Sequence, residues 1–190
     1  AKEFWYIDHG YFGKGSPHRF DGYYRIVYNS IIHDVHGDFP SDRIDNFNLK
    51  FKDWRKNGNK IIMVPPSIPM GKFVGVSDEA WVEHTKKEIE KYTDREVVLC
   101  QKQKGKKSNL MELMKDAWVL ITDHSNCQVD ALVNGVPVIT TSPMRRIGSL
   151  ADVENPAMDR SFLNNLAYRQ WTINEINSGQ AWRELNDFPQ

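Results

Sequence analysis

The sequence has few cysteines, no surplus charge of either sign and no long hydrophobic run. Each shortage removes a class of protein. Two cysteines, Cys100 and Cys127, both in apolar surroundings, cannot make a disulfide framework, so a reducing compartment and a cytoplasmic location are expected. The 25 basic and 25 acidic residues cancel. That argues against a general electrostatic footprint for nucleic acid and leaves room only for a local basic patch. No apolar stretch reaches the roughly 18–20 residues of a membrane-spanning helix. No signal-peptide pattern, internal repeat or low-complexity tail is visible. The chain opens directly on the strand-like "EFWYID".

What is present is a core-forming composition, 40% hydrophobic and 12% aromatic over 190 residues. Residues 3–8 and 23–30 read as strands. Residues 31–59 read as irregular structure or a short helix near Asp53–Arg55. From Lys60 the pattern changes. "KIIMVPPS" is a strand stopped by prolines, and residues 77–93 form a helix capped by Ser77. "EVVLCQ" is a strand, and 108–116 a short amphipathic helix capped by Ser108. Residues 118–123 are a strand, 125–135 a helix ended by Gly135, and 136–141 a further strand. Two helices, 159–170 and 172–185, follow a loop. Continuous apolar strands alternating with helices imply a parallel sheet covered on both faces. Residues 60–141 are therefore expected to form an α/β, doubly wound, Rossmann-like sheet with C-terminal helices.

The stretch "TDHSNCQVDALVNGVPVITT" (122–141) puts polar residues where a strand hands over to a helix. Ligands of such sheets sit beyond the carboxyl ends of the strands, and a helix start favours anions. Ser125 or Asn126 caps the helix or offers a hydroxyl or amide to a phosphate. His124 lies beside them. Asp130, a turn further in, is a first-turn acid or an acceptor for sugar hydroxyls.

"SNCQVDALVNGVPVI" resembles the donor-binding motif of GT-B glycosyltransferases: a Ser/Thr-rich start, an acid, Ala-Leu, then Gly-x-Pro-Val. Asp130-Ala131-Leu132 and Gly135-Val136-Pro137-Val138 carry the match, with Asp where Glu is commoner. "VVLCQKQKGKKSNLMELMKDAWVLITDHSN" and "MDRSFLNNLAYRQWTINEINSGQAW" are similar to segments of capsule-polysaccharide-type and phage-encoded glycosyltransferase-like proteins. The resemblance covers about residues 60–185. It implies a GT-B-like half: residues 60–190 as a nucleotide-sugar-binding domain with C-terminal helical closure, and residues 1–59 as the tail of an N-terminal, acceptor-side domain. It implies sugar transfer from a nucleotide-sugar substrate to a hydroxyl acceptor, a surface polysaccharide or a modified DNA base. No metal or other cofactor is expected. The alternative is a non-catalytic nucleotide- or sugar-binding module on a truncated half, or a structural protein using the fold alone. Further copies of the chain are candidate partners.

Other clusters have two readings each. Lys102 and Lys104 follow a strand end, and in the family a basic residue of this loop meets the donor phosphates; the plain reading is a solvated loop. Ser142 and Arg145 follow the fourth strand, where arginine suits phosphate. His9, oriented by Asp8, is a candidate general base toward an acceptor hydroxyl, or a loop histidine. "GKKS" fails as a P-loop because its first glycine would fall at Cys100. His33 and His36 in "HDVHGD" are poor metal ligands. Asp123, His124 and Ser125 are not expected to form a triad, since consecutive residues aim poorly at one another. Cys127 is expected to be a buried structural thiol. Leu163, Leu166, Trp171 and Trp182 are expected in the core, with Gln170 and Trp171 near a nucleotide edge as the functional reading.

Overall fold

The computed structural model describes residues 3–13, 21–31, 38–67, 75, 77–101, 108–142 and 147–187. The chain divides into two compact units, Lys50–Asp159 and a second made of Ala1–Leu49 with Arg160–Gln190.

The Lys50–Asp159 unit is α/β. Its strands β3 (Lys60–Val64), β4 (Glu96–Leu99), β5 (Ala117–Thr122) and β6 (Val138–Thr140) form one parallel sheet in the order β4-β3-β5-β6. Strands β1 (Trp5–His9) and β2 (Tyr23–Tyr28) belong to the other unit. The arrangement is compatible with a Rossmann-like half. Period-2 alternation splits the strand residues between two faces. Ile61, Met63, Val119, Ile121 and Ile139 pack with Trp81, Ile89 and Val153 on one face. Ile62, Leu120 and Val138 point to the other and are also buried. Such continuous burial is why these strands read as unbroken apolar runs. Each fully buried Ile or Leu contributes about 1.5–3 kcal/mol.

Helix α2 (Asp78–Ile89) forms where expected. Ser77 accepts from the Ala80 N–H (3.1 Å), acids fill the first turn and lysines the last. Trp81, Thr85 and Ile89, four residues apart, are its buried stripe. A short helix, α3 (Leu110–Leu113), continues as a 3-10 turn to Asp116, and α4 spans Cys127–Val133. Helix α2 covers the face of Ile61, Val119 and Ile121, and the chain reverses direction across the sheet after β4.

Of the two readings for Asp53–Arg55, irregular structure is the one observed. Lys52 N–H donates to Val133 O (3.0 Å) and Arg55 N–H to Gly135 O (2.8 Å), so this backbone is spent on the end of α4. Gly135 has φ +74°, and a Cβ there would lie 2.0 Å from Asp53 O. Glycine is thus required both by handedness and by close approach.

The other unit holds an antiparallel sheet, β1 (Trp5–His9), β2 (Tyr23–Tyr28) and β7 (Gln170–Thr172), in the order β1-β2-β7. Four helices accompany it: α1 (Asp42–Asp45), α5 (Ser161–Ala167), α6 (Ile173–Asn177) and α7 (Gln180–Asp187). Residues 159–170 and 172–185, expected as two helices, are instead three shorter helices and a strand. Residues 170–172 are a strand rather than helix, and they pair with β2. Arg43 fixes this arrangement. Its guanidinium donates to Ala167 O and Gln170 O, both at 2.8 Å, and pairs with Glu175 (3.0 Å) and Glu184 (3.2 Å). No helix among the described residues is long and apolar enough to cross a membrane.

Candidate functional site

In the order β4-β3-β5-β6 the chain moves outward from β3 to β4, then returns past β3 to β5. The crevice beyond the carboxyl ends of β3 and β5 is therefore the topological switch point, where open α/β sheets take ligands. β5 ends there in Thr122-Asp123-His124-Ser125.

The Asp123 carboxylate is held at both oxygens. Oδ2 contacts Nδ1 of the next residue, His124, and Oδ1 accepts from the Thr141 hydroxyl at 3.0 Å. Thr141 in turn accepts from the Trp81 indole N–H at 2.8 Å. The strand register explains the meeting. Thr122 stands opposite Thr140 in the β5/β6 pair, and Thr141 N–H donates to Thr122 O (3.0 Å), so the next residues, Asp123 and Thr141, lie side by side. The His124 side chain is only 5% exposed and Asp123 15%. The reasoning that consecutive residues cannot aim at one another is overturned for Asp123 and His124. Both lie in a bend after the strand, where side chains no longer alternate. Ser125 is outside this network; its hydroxyl accepts from Cys127 N–H at 3.4 Å.

The other expected residues fall as follows. Asn126 is the N-cap of α4 by position but makes no side-chain cap bond, and α4 is only seven residues long. Asp130 is exposed on the helix, with its backbone carbonyl accepting from Asn134. Ser142 is buried. Lys102, Lys104 and Arg145 lie outside the described residues, as do His33 and His36. Among the described residues no group of three or more His, Cys, Asp or Glu side chains could hold a metal ion. Cys127 is buried, and desolvation pushes its thiol up to about 12 despite bonds with Ser125 and Thr122. Such a thiol is inert.

The Asp8 carboxylate is engaged by groups other than the His9 ring. Burial works to raise the Asp8 carboxyl, but its bond to Arg25 (2.8 Å) and the His9 backbone N–H outweigh that and leave it lowered. Tyr6 donates to it as well, at 3.1 Å. The His9 ring instead stacks beside Tyr24, with centroids 6.0 Å apart. Adjacent strand residues face opposite sides, so Asp8 cannot orient the neighbouring ring. Gln170 and Trp171 also leave the nucleotide reading. The fully buried Gln170 amide accepts from Tyr11 and Phe12 N–H at 2.5 and 3.0 Å, and Trp171 donates to Glu184 (2.7 Å). Leu163 and Leu166 are core, whereas Trp182 is 53% exposed.

Sequence reasoning missed Gln128, Thr141 and Trp81. Gln128 is wholly buried in α4, and neither amide atom has a hydrogen-bond partner among the described residues. A polar residue between Cys127 and Val129 on the inward side of a helix was the available signal. A cleft of about 190 Å³ near Lys52, Arg55, Met114 and Asn134 lies at the amino end of β5, away from the switch point.

These features define an α/β protein with a four-stranded parallel sheet and a polar cluster at its switch point. No protein family, no curated protein and no solved structure matches the chain.

Proposed function

We propose that residues 50–159 are the nucleotide-sugar-binding half of a GT-B-type glycosyltransferase. The reaction is metal-independent transfer of a sugar to a hydroxyl acceptor, a glycan or a modified DNA base. One observation carries this reading: the Asp123–Asn126 cluster stands at the carboxyl end of β5, beside the switch point of the parallel sheet. The motif Asp130-Ala131-Leu132 with Gly135-Val136-Pro137-Val138 supports it. In this reading Ser125 and Asn126 meet phosphate, and the exposed Asp130 carboxylate accepts from ribose or sugar hydroxyls. The leaving diphosphate is stabilised by fixed donors rather than by a metal.

A second reading, a binding module without turnover, is favoured by the engagement of Asp8 with Arg25 and Tyr6, which removes the expected orienting group from His9. Isothermal titration with a panel of nucleotide sugars, paired with an assay for donor hydrolysis, separates the two. Heat of binding with hydrolysis supports the enzyme, and binding alone supports the module. No binding, or binding that Ser125→Ala and Asp130→Ala leave unchanged, rejects the site.

A further inference from the structure

We propose that Thr141 and Trp81 are positioning residues that fix the ring of His124, through Asp123, so that its Nε2 accepts a hydroxyl proton of the ligand. The proposal rests on the reading of the sheet's carboxyl end as the ligand site. It gives His124 a partner other than the phosphate that its position beside Ser125 suggests.

The relay runs in one direction. The Trp81 indole can only donate, and it does so to the Thr141 oxygen at 2.8 Å. That leaves the Thr141 hydroxyl hydrogen to be given away, and it goes to Asp123 Oδ1 at 3.0 Å. An ionised carboxylate only accepts, so the Oδ2 contact with His124 requires the hydrogen on Nδ1. In the neutral ring Nε2 is then the nitrogen with the lone pair. A lone pair repels a phosphate oxygen and accepts from a hydroxyl, as on a sugar or an acceptor. Among the described residues His124 makes no other hydrogen bond. The ring is almost wholly buried, so its orientation is set by the protein rather than by water.

Three separate segments build this relay: Trp81 from α2, Asp123 and His124 from the end of β5, and Thr141 from the end of β6. A buried hydroxyl and indole could instead satisfy each other for packing alone, in which case the ring would not respond to them.

Nitrogen-15 NMR of the histidine rings tests the difference directly. The signals of His124 among the six histidines are identified by their loss in His124→Gln. The wild-type ring at pH 8 is expected to be a single Nδ1–H tautomer. Thr141→Val, which keeps the shape and removes the hydroxyl, is expected to give a mixture of tautomers, as is Trp81→Phe. Thr141→Ser is expected to restore the single tautomer. Circular dichroism confirms that each variant is folded, and Thr141→Val stands in should Trp81→Phe fail to fold. An unchanged tautomer in folded Thr141→Val overturns the relay. Uridine diphosphate glucose is expected to move the Nε2 signal, and uridine diphosphate alone to leave it in place. Equal movement with both overturns the hydroxyl assignment. A relay that holds while nucleotide sugars of every base leave Nε2 unmoved rejects the nucleotide-sugar reading instead.

Discussion

Replacing Gln128 by methionine should stabilise the protein. The side chain is fully buried and both Nε2 and Oε1 lack partners among the described residues, so folding strips the amide of water with no bond in return. Mutational data put the burial of such a group without a hydrogen bond at about 1–3 kcal/mol. Methionine is unbranched, of similar volume and adaptable, so repacking should cost little. The expected gain is therefore about 1–3 kcal/mol, and a protein of this size gains roughly 2–4 °C in Tm per kcal/mol. Urea unfolding followed by tryptophan fluorescence and circular dichroism should show a higher midpoint at unchanged slope. Gln128→Glu, which buries an unpaired charge at the same place, should move the midpoint the other way. An unchanged or lower midpoint for Gln128→Met would refute the reasoning, because it would mean that the amide is satisfied in solution. Binding adds a second reading of the same variant. Proteins keep destabilising groups mainly where function needs them. Higher stability with weaker nucleotide-sugar binding would assign the amide to the ligand; higher stability with unchanged affinity would deny it that role.

Gly135→Ala should destabilise by about 2 kcal/mol or more, since a positive φ costs a non-glycine residue about 1–2 kcal/mol and the Asp53 carbonyl must also move; a loss below about 1 kcal/mol in the same urea assay would remove that account. Cys127 should resist a thiol reagent at pH 8 and react only on unfolding. Its thiol is raised by burial to about 12 from an ordinary 9.0, so its contribution to stability is complete below pH 9 and lost as pH rises toward 12. Alkaline unfolding of Cys127→Ala should be correspondingly flatter. Arg43→Ala should cost up to about 3 kcal/mol, because it leaves the Glu175 and Glu184 carboxylates, both only partly exposed, without their cation while Thr172 and Trp171 still donate to them; Arg43→Lys cannot reach both carbonyls and both carboxylates and should recover only part, as read from the thermal midpoint.

The sheet of the Lys50–Asp159 unit was legible because its signals are local. Apolar runs gave β3 to β6, Ser77 gave the start of α2, and Gly135 gave the end of α4. The choice between irregular structure and a short helix near Asp53–Arg55 was not legible, because the backbone groups there bond to Val133 and Gly135, some eighty residues away. Strand β7 failed for a similar reason. Gln170, Trp171 and Thr172 lie between helical stretches and become a strand only because β2 offers them an edge. The polar cluster after β5 was legible as a place on the sheet, but its wiring was not, since Trp81 and Thr141 carry no mark in the sequence that ties them to Asp123.

The two Asp-His pairs show why. Asp8-His9 and Asp123-His124 are the same dipeptide, each at the end of an N-terminal-to-C-terminal apolar run. In β1 the strand continues through both residues, and the pleat sends them to opposite faces. Asp8 then meets Tyr6, two residues back on its own face, and Arg25 across the sheet, while His9 meets Tyr24. After β5 the strand has ended at Thr122, the backbone bends, and the same two side chains turn to each other. The parallel pairing of β5 with β6 then delivers Thr141 to the free carboxylate oxygen. In this chain the Asp and His side chains therefore meet outside the strand, where a neighbouring strand end supplies the anchor. That condition is met after β5 and not in β1, so the side-chain contact forms at His124 while His9 stacks beside Tyr24.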